Sequence, residues 1–332
     1  MKTFSTARIN ELFSHFQSKR IAVVGDVMID RYLWGSVSRI SPEAPVPVVE
    51  IDNETSRLGG AANVANNIKT LGGTPILVGV VGNNLHGQEF RELLEQMDCP
   101  SYGIITDASR PTTIKTRVIA QDQHVVRVDS ETKRDIAPEI RAKIMQVLTE
   151  HIDSIDAIVI EDYNKGVVVK ELIHDVIGLA NSKDKIVTID PKFNNFFEYR
   201  NVTLFKPNKK EAEEAIGNKF RTEEDVIEAG RLLLEKLQAE NVLLTRSEKG
   251  MSLFERCGDI THIPTVARKI ADVSGAGDTV IATLTMLLAS GATVKEAAVI
   301  ANFAGGIVCG EVGIVPIEAD VLKRKILTDG NA

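Results

Sequence analysis

The sequence predicts an α/β fold, with a three-layer α/β/α core around a mainly parallel central sheet and a small β-sheet that projects from it. Short apolar runs alternate with amphipathic helical stretches over most of the 332 residues, as expected when helices cover a parallel sheet. Several runs are almost continuous in Val, Ile and Leu, which is typical of strands buried on both faces. No Pro/Gly/Ser-rich linker divides the chain, so we expect one domain over residues 1–332.

The core elements follow from these local patterns. The predicted strands are residues 20–27, 75–82, 157–162, 186–190, 202–206 and 242–245. The predicted helices are residues 61–71, 87–97, 138–151, 168–181, 222–240, 277–289 and 294–308. Ligands of such sheets bind beyond the carboxyl ends of the strands, and we expect the functional site at that edge.

Two stretches, at about 31–52 and 110–131, break the alternation because no helix accompanies their strand patterns. We call the projecting sheet that they predict the lid. Residues 112–120 and 124–129, joined by the link 121–123, predict a hairpin with Ile114, Thr116 and Val118 on one face and Lys115 and Arg117 on the other. An apolar face on so small a sheet needs cover. We therefore expect a homodimer joined through the lid strands, although a lid folded back onto its own core is the alternative.

Composition excludes several classes of function. A net charge of -7 and a pI of about 5.5 argue against nucleic acid as the main partner. Cys99, Cys257 and Cys309 are far apart and form no CxxC pair, so neither a disulfide framework nor a zinc site is predicted. The first twenty residues carry charges throughout, and no apolar run reaches the roughly 18 residues of a membrane span. We expect no membrane association and a cytoplasmic location.

The strongest chemical signal is the segment 272–278, which reads Asp-Val-Ser-Gly-Ala-Gly-Asp before an apolar helix. The small residues Gly275, Ala276 and Gly277 allow a ligand close to the backbone, whose unpaired N–H groups at a helix start form an anion site. Asp278 in the first turn can accept a hydroxyl proton. Together they predict phosphoryl transfer to a hydroxyl group. A helix start with a stabilising acid is the structural alternative.

Several motifs resemble the pfkB family of carbohydrate kinases. The segment 272–278 resembles the C-terminal signature of the family, and Leu-Gly-Gly-Ala-Ala-Asn-Val-Ala at 58–65 resembles the N-terminal signature. Gly-Asp-Val-Met-Ile-Asp at 25–30 and Asn-Lys-Lys-Glu at 208–211 match two further family motifs. The resemblance spans the chain in family order and implies a ribokinase-like fold and ATP as the phosphate donor.

The resemblance also implies roles for individual residues. Asp30 would bind sugar hydroxyls, with Gly59, Gly60 and Asn63 lying against the sugar. Glu211 would act on Mg²⁺ through water, and a monovalent cation is possible. The implied nucleotide contacts are Lys192, Asn208, Lys209, Lys210, Glu211, Thr245, Gly250, Gly275, Gly277 and Asn302.

These residues also have structural alternatives. Gly59 and Gly60 could form only a tight turn, and Asp30 could be a turn residue. Asn208 and Glu211 could be an N-cap and a first-turn acid, which is compatible with a site because Mg²⁺ prefers such oxygen ligands. A nicotinamide-binding domain is disfavoured because no Gly-x-Gly-x-x-Gly follows the first strand.

The lid segments resemble one branch of this family, the D-glycero-β-D-manno-heptose 7-phosphate kinases. The matching segments are 34–35, 39–48, 111–120, 162–166 and 190–192. The resemblance implies ATP-dependent phosphorylation of that sugar at its anomeric hydroxyl, giving the 1,7-bisphosphate for ADP-heptose and lipopolysaccharide core synthesis. It also implies substrate contacts from Lys115, Arg117, Asp162 and Lys165, with Lys192 as a further cation. Solvated or snorkelling side chains are the alternative for these cations.

Some residues depart from the family pattern. Residues 82–87 read Gly-Asn-Asn-Leu-His-Gly, where the family usually has Gly-x-Asp-x-x-Gly, although Asn84 can still cap a helix. Glu161 stands where related kinases have a small residue. No histidine forms the His-x-Gly-His motif of the second domain in bifunctional relatives, so we expect a separate nucleotidyltransferase chain. A kinase of another sugar, of the ribose or fructose phosphate type, or a catalytically silent sugar-binding protein remain alternatives.

Overall fold

The computed structural model describes residues 4–121, 123–266, 271–311 and 313–329; Asp122, in the predicted link of the lid, lies outside the described residues. The strands are β1 (Arg20–Gly25), β2 (Val27–Ile40), β3 (Pro47–Gly60), β4 (Thr74–Gly82), β5 (Ile104–Asp107), β6 (Ile114–Ala120), β7 (Gln123–Ser130), β8 (Ala157–Glu161), β9 (Ile186–Asp190), β10 (Leu204–Phe205), β11 (Asn241–Thr245), β12 (Met251–Glu255) and β13 (Ile260–Ile263). The helices are α1 (Thr6–Ser14), α2 (Ala61–Thr70), α3 (Leu85–Gln96), α4 (Pro138–His151), α5 (Lys170–Asn181), α6 (Lys209–Ile216), α7 (Glu223–Leu237), α8 (Ala276–Ala289), α9 (Val294–Val308) and α10 (Ala319–Asp329).

Within the described residues, the central sheet has nine strands in the order β13-β12-β11-β10-β9-β8-β1-β4-β5. Its strands run parallel except that β12 is antiparallel to both β11 and β13. The predicted mainly parallel sheet is therefore confirmed. The carboxyl ends of β1, β8 and β9 are neighbours in register, so the residues that follow these strands lie close together.

Helices cover both faces of this sheet because its strands are apolar on both sides. In β1, Ile21 and Val23 pack into one core, whereas Ala22 and Val24 pack into the other. Helices α1, α2, α8 and α9 contribute to the first core, and α4, α5 and α7 contribute to the second. Each such Val or Ile side chain contributes about 1.5–3 kcal/mol by leaving water. The three-layer arrangement predicted from the sequence is confirmed.

The first strand ends earlier than predicted. The sequence predicts one strand over 20–27, but β1 ends at Gly25 and Val27 already belongs to the lid. At Gly25 a Cβ atom would lie only 2.0 Å from the carbonyl oxygen of Glu161, so the close approach of the two strands requires glycine. The N–H of Asp26 then donates to that same carbonyl at 3.1 Å, and the chain leaves the central sheet.

The lid is a four-stranded sheet in the order β3-β2-β6-β7. Strand β2 pairs antiparallel with β3 and parallel with β6, and β6 forms the predicted hairpin with β7. Strand β2 begins at the core and strand β3 ends there, so both strands are longer than the sequence pattern predicts. On the outer strand β7, Val126 and Val128 are 49% and 56% exposed.

The short elements at the edges were missed by sequence reasoning. Strand β5 has four residues, and β12 and β13 form a hairpin whose pattern is weak because it lies at the edge of the sheet. Helices α6 and α10 are also short and largely polar. Within the described ranges, no helix combines the length and the apolar character that crossing a membrane requires.

Candidate active site

Asp278 lies at the centre of the site, in the first turn of α8, and is only 3% exposed. Asn63 Nδ2 donates a hydrogen bond to its Oδ2 at 2.8 Å, and the Tyr163 hydroxyl donates to its Oδ1 at 2.8 Å. Burial raises the pKa of Asp278 to about 6, although both donors oppose the shift. A carboxylate held this way is suited to accept a proton near neutral pH.

The predicted anion site consists of the backbone directly before Asp278. Gly275 adopts a left-handed conformation with φ of 77°, which turns the chain into the helix. The N–H of Ala276 donates to the carbonyl of Val273 at 3.3 Å, so that donor is already engaged. The N–H of Gly277 belongs to the first helical turn, where no carbonyl within the helix can accept it. We therefore assign the anion site mainly to Gly277.

A buried charged cluster adjoins this helix start. Lys206 Nζ lies 2.7 Å from Asp190 Oδ2, and both side chains are less than a tenth exposed. A Cβ atom at Gly277 would lie 3.4 Å from Asp190 and 3.7 Å from Lys206, so the helix backbone faces this pair. Glu161 is fully buried at the end of β8. Burial raises its pKa well above the ordinary value, and the charges of Asp190 and Asp278 raise it further.

Sequence reasoning missed Lys206, and it singled out Asp190 only as part of a motif. Lys206 directly follows β10, and Asp190 is the last residue of β9. Polar residues that end consecutive parallel strands meet at one edge of the sheet. That positional signal was available in the sequence and would have found both residues.

Two ammonium groups lie next to the base. Lys115 Nζ is 5.0 Å from the ring centroid of Tyr163, and Lys192 Nζ is 5.3 Å from the same centroid. The hydroxyl of the same tyrosine binds Asp278, so both ammonium groups contact the ring that orients this carboxylate. Burial lowers the pKa of Lys115. Lys192 also pairs with Glu211.

The lid brings a second group of predicted residues together. Asp30 is 2% exposed, and the Arg117 guanidinium donates to its Oδ1. The same guanidinium lies 5.3 Å from the centroid of the Tyr32 ring. A Cβ atom at Gly59 would lie 2.0 Å from Asp30 Oδ2, so only glycine leaves room for the carboxylate. Gly60, with φ of 59°, precedes α2 and thereby positions Asn63.

Two predicted substrate residues are engaged inside the protein. Asp162 is 1% exposed, and its oxygens accept hydrogen bonds from the Asn164 N–H at 2.7 Å and the Tyr199 hydroxyl at 2.7 Å. Burial raises its pKa to about 6. Lys165 Nζ lies 2.6 Å from Glu131. Both side chains therefore hold the loop after β8, and their predicted contact with substrate stays a prediction.

Four of the predicted nucleotide residues line one cleft at the start of α8: Thr245, Gly250, Gly277 and Asn302. This cleft has a volume of 320 Å³, and its lining also includes Ala276. The Asn302 side chain donates to the carbonyl of Pro264 at 2.7 Å, which fixes its orientation. Its place beside the anion site makes this cleft the candidate nucleotide pocket.

The turn before α6 closes as a capping box. Asn208 Oδ1 accepts from the Glu211 N–H at 2.9 Å, and Glu211 Oε2 accepts from the Asn208 N–H at 2.8 Å. The structural alternative thus holds, and it leaves the predicted nucleotide role open. Lys209 lies 3.7 Å from Glu213, and Lys210 is exposed.

Residues 82–87, which depart from the family pattern, still begin a helix. Asn84 caps α3 as predicted, by accepting a hydrogen bond from the Gly87 N–H at 2.9 Å.

The chain is similar to known proteins over most of its length. The chain is 43% identical over 305 residues to the bifunctional protein HldE of Geobacter sulfurreducens, covering 92% of this chain and 62% of that protein. It is 46% identical over 308 residues to the bifunctional protein HldE of Helicobacter hepaticus, covering 92% of this chain and 64% of that protein. The chain thus spans less than two thirds of the length of these relatives.

Solved structures share the fold at low sequence identity. Phosphofructokinase-2 from Escherichia coli in complex with potassium superposes with a TM-score of 0.77 at 19% identity, covering 95% of this chain and 99% of that one. Arabidopsis thaliana ribokinase complexed with ribose and ATP gives 0.72 at 17% identity, covering 93% and 98%. The model of the pfkB family carbohydrate kinases matches residues 18–319. The chain therefore belongs to the pfkB family of carbohydrate kinases and is a sugar kinase.

Proposed function

We propose that the protein transfers the γ-phosphoryl group of ATP to the anomeric hydroxyl of D-glycero-β-D-manno-heptose 7-phosphate. The observation that carries this proposal is the placement of Lys115 and Lys192 beside Tyr163, whose hydroxyl binds the Asp278 carboxylate. A sugar that already carries a phosphate needs cations as well as a base, and Lys115 lies on the lid strand β6, which would reach over the sugar. The lid sequence, which resembles heptose 7-phosphate kinases, supports this choice of sugar.

Each residue of the site has its own role in phosphoryl transfer. Asp278 accepts the hydroxyl proton as the oxygen attacks phosphorus, and Asn63 and Tyr163 orient the carboxylate through their hydrogen bonds. The N–H of Gly277 stabilises charge on the phosphoryl oxygens. Lys206, buried beside Asp190, adds a fixed positive charge next to that N–H. The lid covers the sugar and helps to exclude water.

The residues present fit a nucleotide that binds together with Mg²⁺. The Glu211 oxygens already accept hydrogen bonds from Lys192 and from the Asn208 N–H, which suits contact with the ion through water. The chemistry that Mg²⁺ supplies when bound is neutralisation of charge on the phosphates. A monovalent cation near the anion site remains an expectation from the family resemblance.

The proposal also covers the oligomeric state of the protein, its partner in the pathway and its location in the cell. We expect a homodimer joined through the lid, because Ile51, Val126 and Val128 leave apolar surface exposed there. A second copy would cover this surface in both subunits at once. We expect the reaction to occur in the cytoplasm, where ATP is available. We also expect a separate nucleotidyltransferase chain in the pathway.

Measuring ADP release with a panel of sugar phosphates tests the proposal. We expect the highest kcat/KM with heptose 7-phosphate. Equal efficiency with ribose or fructose 6-phosphate would contradict the proposal and favour a kinase of the ribose or fructose phosphate type. Lys115→Met should raise KM for the phosphorylated sugar about 10- to 150-fold, because a charged hydrogen bond contributes about 1.5–3 kcal/mol. Lys115→Arg, which keeps the charge, is the matched control and should lose much less.

A further inference from the structure

We propose that Arg246 is a positioning residue for the nucleotide, because its buried guanidinium holds a loop that lines the candidate nucleotide pocket. We call residues 246–250, which join β11 to β12, the hairpin loop. The lining of the cleft includes Ser247, Glu248 and Gly250 of this loop, together with Thr245 directly before it. The inference rests on the proposed function only in taking ATP as the phosphate donor, and it does not depend on which sugar is phosphorylated.

Arg246 lies between residues that line the cleft, but its own side chain points into the protein. The side chain is only 5% exposed. Its Nη1 donates to the Ser252 hydroxyl at 2.9 Å, and its Nη2 donates to Oε1 of Glu223 at 2.5 Å. Ser252 belongs to β12, and Glu223 is the first residue of α7. The two hydrogen bonds therefore tie the hairpin loop to a strand and to a helix that lie outside it.

The backbone of the hairpin loop closes around Arg246. The N–H of Arg246 donates to the carbonyl of Gly250 at 2.8 Å, and its carbonyl accepts the N–H of Lys249 at 3.1 Å. Ser247, the next residue, has a φ of 52°, in the left-handed region that residues other than glycine seldom adopt. Such a conformation costs free energy and persists only where surrounding contacts maintain it. By anchoring both the backbone and the side chain of Arg246, these contacts fix the conformation in which Ser247 lines the cleft.

The buried guanidinium contributes direction more than stability. Its Nε is buried and has no hydrogen-bond partner among the described residues, so the loss of its hydration is only partly compensated. An apolar side chain of similar length could fill the same space at little or no cost to stability. What the guanidinium adds is a planar fork of donors that fixes two partners at once. This pattern is expected of a residue that positions a ligand-binding loop.

Lys249, in the same hairpin loop, offers a matched comparison. Its Nζ lies 3.5 Å from the same Glu223 oxygen, but its side chain is exposed. An exposed ion pair holds its partners only weakly. Removing the charge of Lys249 should therefore leave the hairpin loop in place, whereas removing the charge of Arg246 should release it.

Calorimetric titration with ADP and Mg²⁺, in the absence of sugar, tests the role of Arg246. We expect Arg246→Met, which keeps an extended side chain, to raise the Kd for ADP about tenfold or more, and Lys249→Met to leave it within about twofold. Arg246→Lys, which keeps the charge but not the fork of donors, should fall between them. In the kinase assay, Arg246→Met should raise KM for ATP and leave KM for the sugar phosphate nearly unchanged.

Thermal melting separates positioning from folding. Glu223 is half-exposed and can be hydrated, and Ser252 keeps its contact with Nδ1 of His262 at 2.9 Å, so Arg246→Met should melt close to wild type. If that variant does not fold, Ser252→Ala decides instead. It removes one of the two acceptors of the guanidinium, and it should also weaken ADP binding.

Two results would overturn the proposal. One is a folded Arg246→Met variant, or Ser252→Ala in its place, that binds ADP as tightly as wild type. The other is a variant in which KM for the sugar phosphate rises as much as KM for ATP, because that result indicates a general disturbance of the fold. The ADP titration contains no sugar, so its outcome is distinguishable from a failure of the sugar panel, which tests the proposed function.

Discussion

Replacing Asp278 by Asn removes the proposed catalytic base without changing the size of the side chain. Asp278 accepts hydrogen bonds from Asn63 and Tyr163, each at 2.8 Å. The amide oxygen of the variant can still accept from Asn63. Its amino group can donate to the phenolic oxygen of Tyr163 once that hydroxyl rotates. Both hydrogen bonds survive, so we expect a folded protein whose stability differs from wild type by about 1 kcal/mol or less.

The effect on catalysis should be much larger than the effect on stability. A general base contributes about 10²- to 10⁴-fold, or about 2.7–5.5 kcal/mol of barrier, and we expect kcat for Asp278→Asn to fall by this factor. ADP release gives kcat, calorimetry checks ATP binding, and thermal melting checks the fold. Tyr163→Phe is the control: it removes one donor but keeps the carboxylate, so its kcat should fall far less. A folded Asp278→Asn variant with kcat within tenfold of wild type would refute the reasoning.

Two further predictions concern stability and assembly. The hydrogen bonds from Arg8 lower the pKa of Glu296 from 4.5 to about 2, so this ion pair stabilises the fold above pH 4.5 and is lost as the pH falls towards 2. Glu296→Gln, which keeps the capping box with Thr293, should cost about 1–2 kcal/mol in urea unfolding at pH 7. The difference in unfolding free energy between wild type and Glu296→Gln should narrow between pH 6 and pH 3, and a constant difference would contradict this account. Val126→Asp on the exposed lid face should give a monomer by light scattering, whereas Val125→Asp on the opposite face should not; a wild-type monomer would rule out the dimer.

The sequence predicts the core of the fold because its strands and helices carry strong local patterns. Continuous apolar strands such as 157–162 are visible without any structure, and so is the apolar helix after Asp278. The predicted end of β1 was wrong because the sequence pattern stays apolar through Val27. The strand ends at Gly25, where it contacts Glu161, and that residue lies on a strand more than a hundred residues away. Local patterns do not report such contacts.

The candidate site, like the fold, is predictable from the sequence only where its residues are neighbours along the chain. The helix start at 275–278 combines a backbone device with an acid in one short segment, so its chemistry is readable from neighbouring residues. The partners of Asp162 and Lys165, by contrast, are Tyr199 and Glu131, which lie 37 and 34 residues away along the chain. A charged residue that looks available to substrate in the sequence can therefore be engaged within the fold.

Asp26 explains how these separate segments become one site. The residue is 1% exposed, and its carboxylate accepts backbone N–H groups of Tyr163, Lys165 and Val167 at 2.8, 3.1 and 3.2 Å. Its carbonyl accepts the N–H of Ala61 at 3.0 Å, at the start of the helix that carries Asn63. Asn63 and Tyr163 donate hydrogen bonds to Asp278. The side chain and the backbone carbonyl of Asp26 therefore hold the segments that carry both donors. The point where the chain leaves the central sheet for the lid is thus also the point that positions the carboxylate of Asp278, the proposed base.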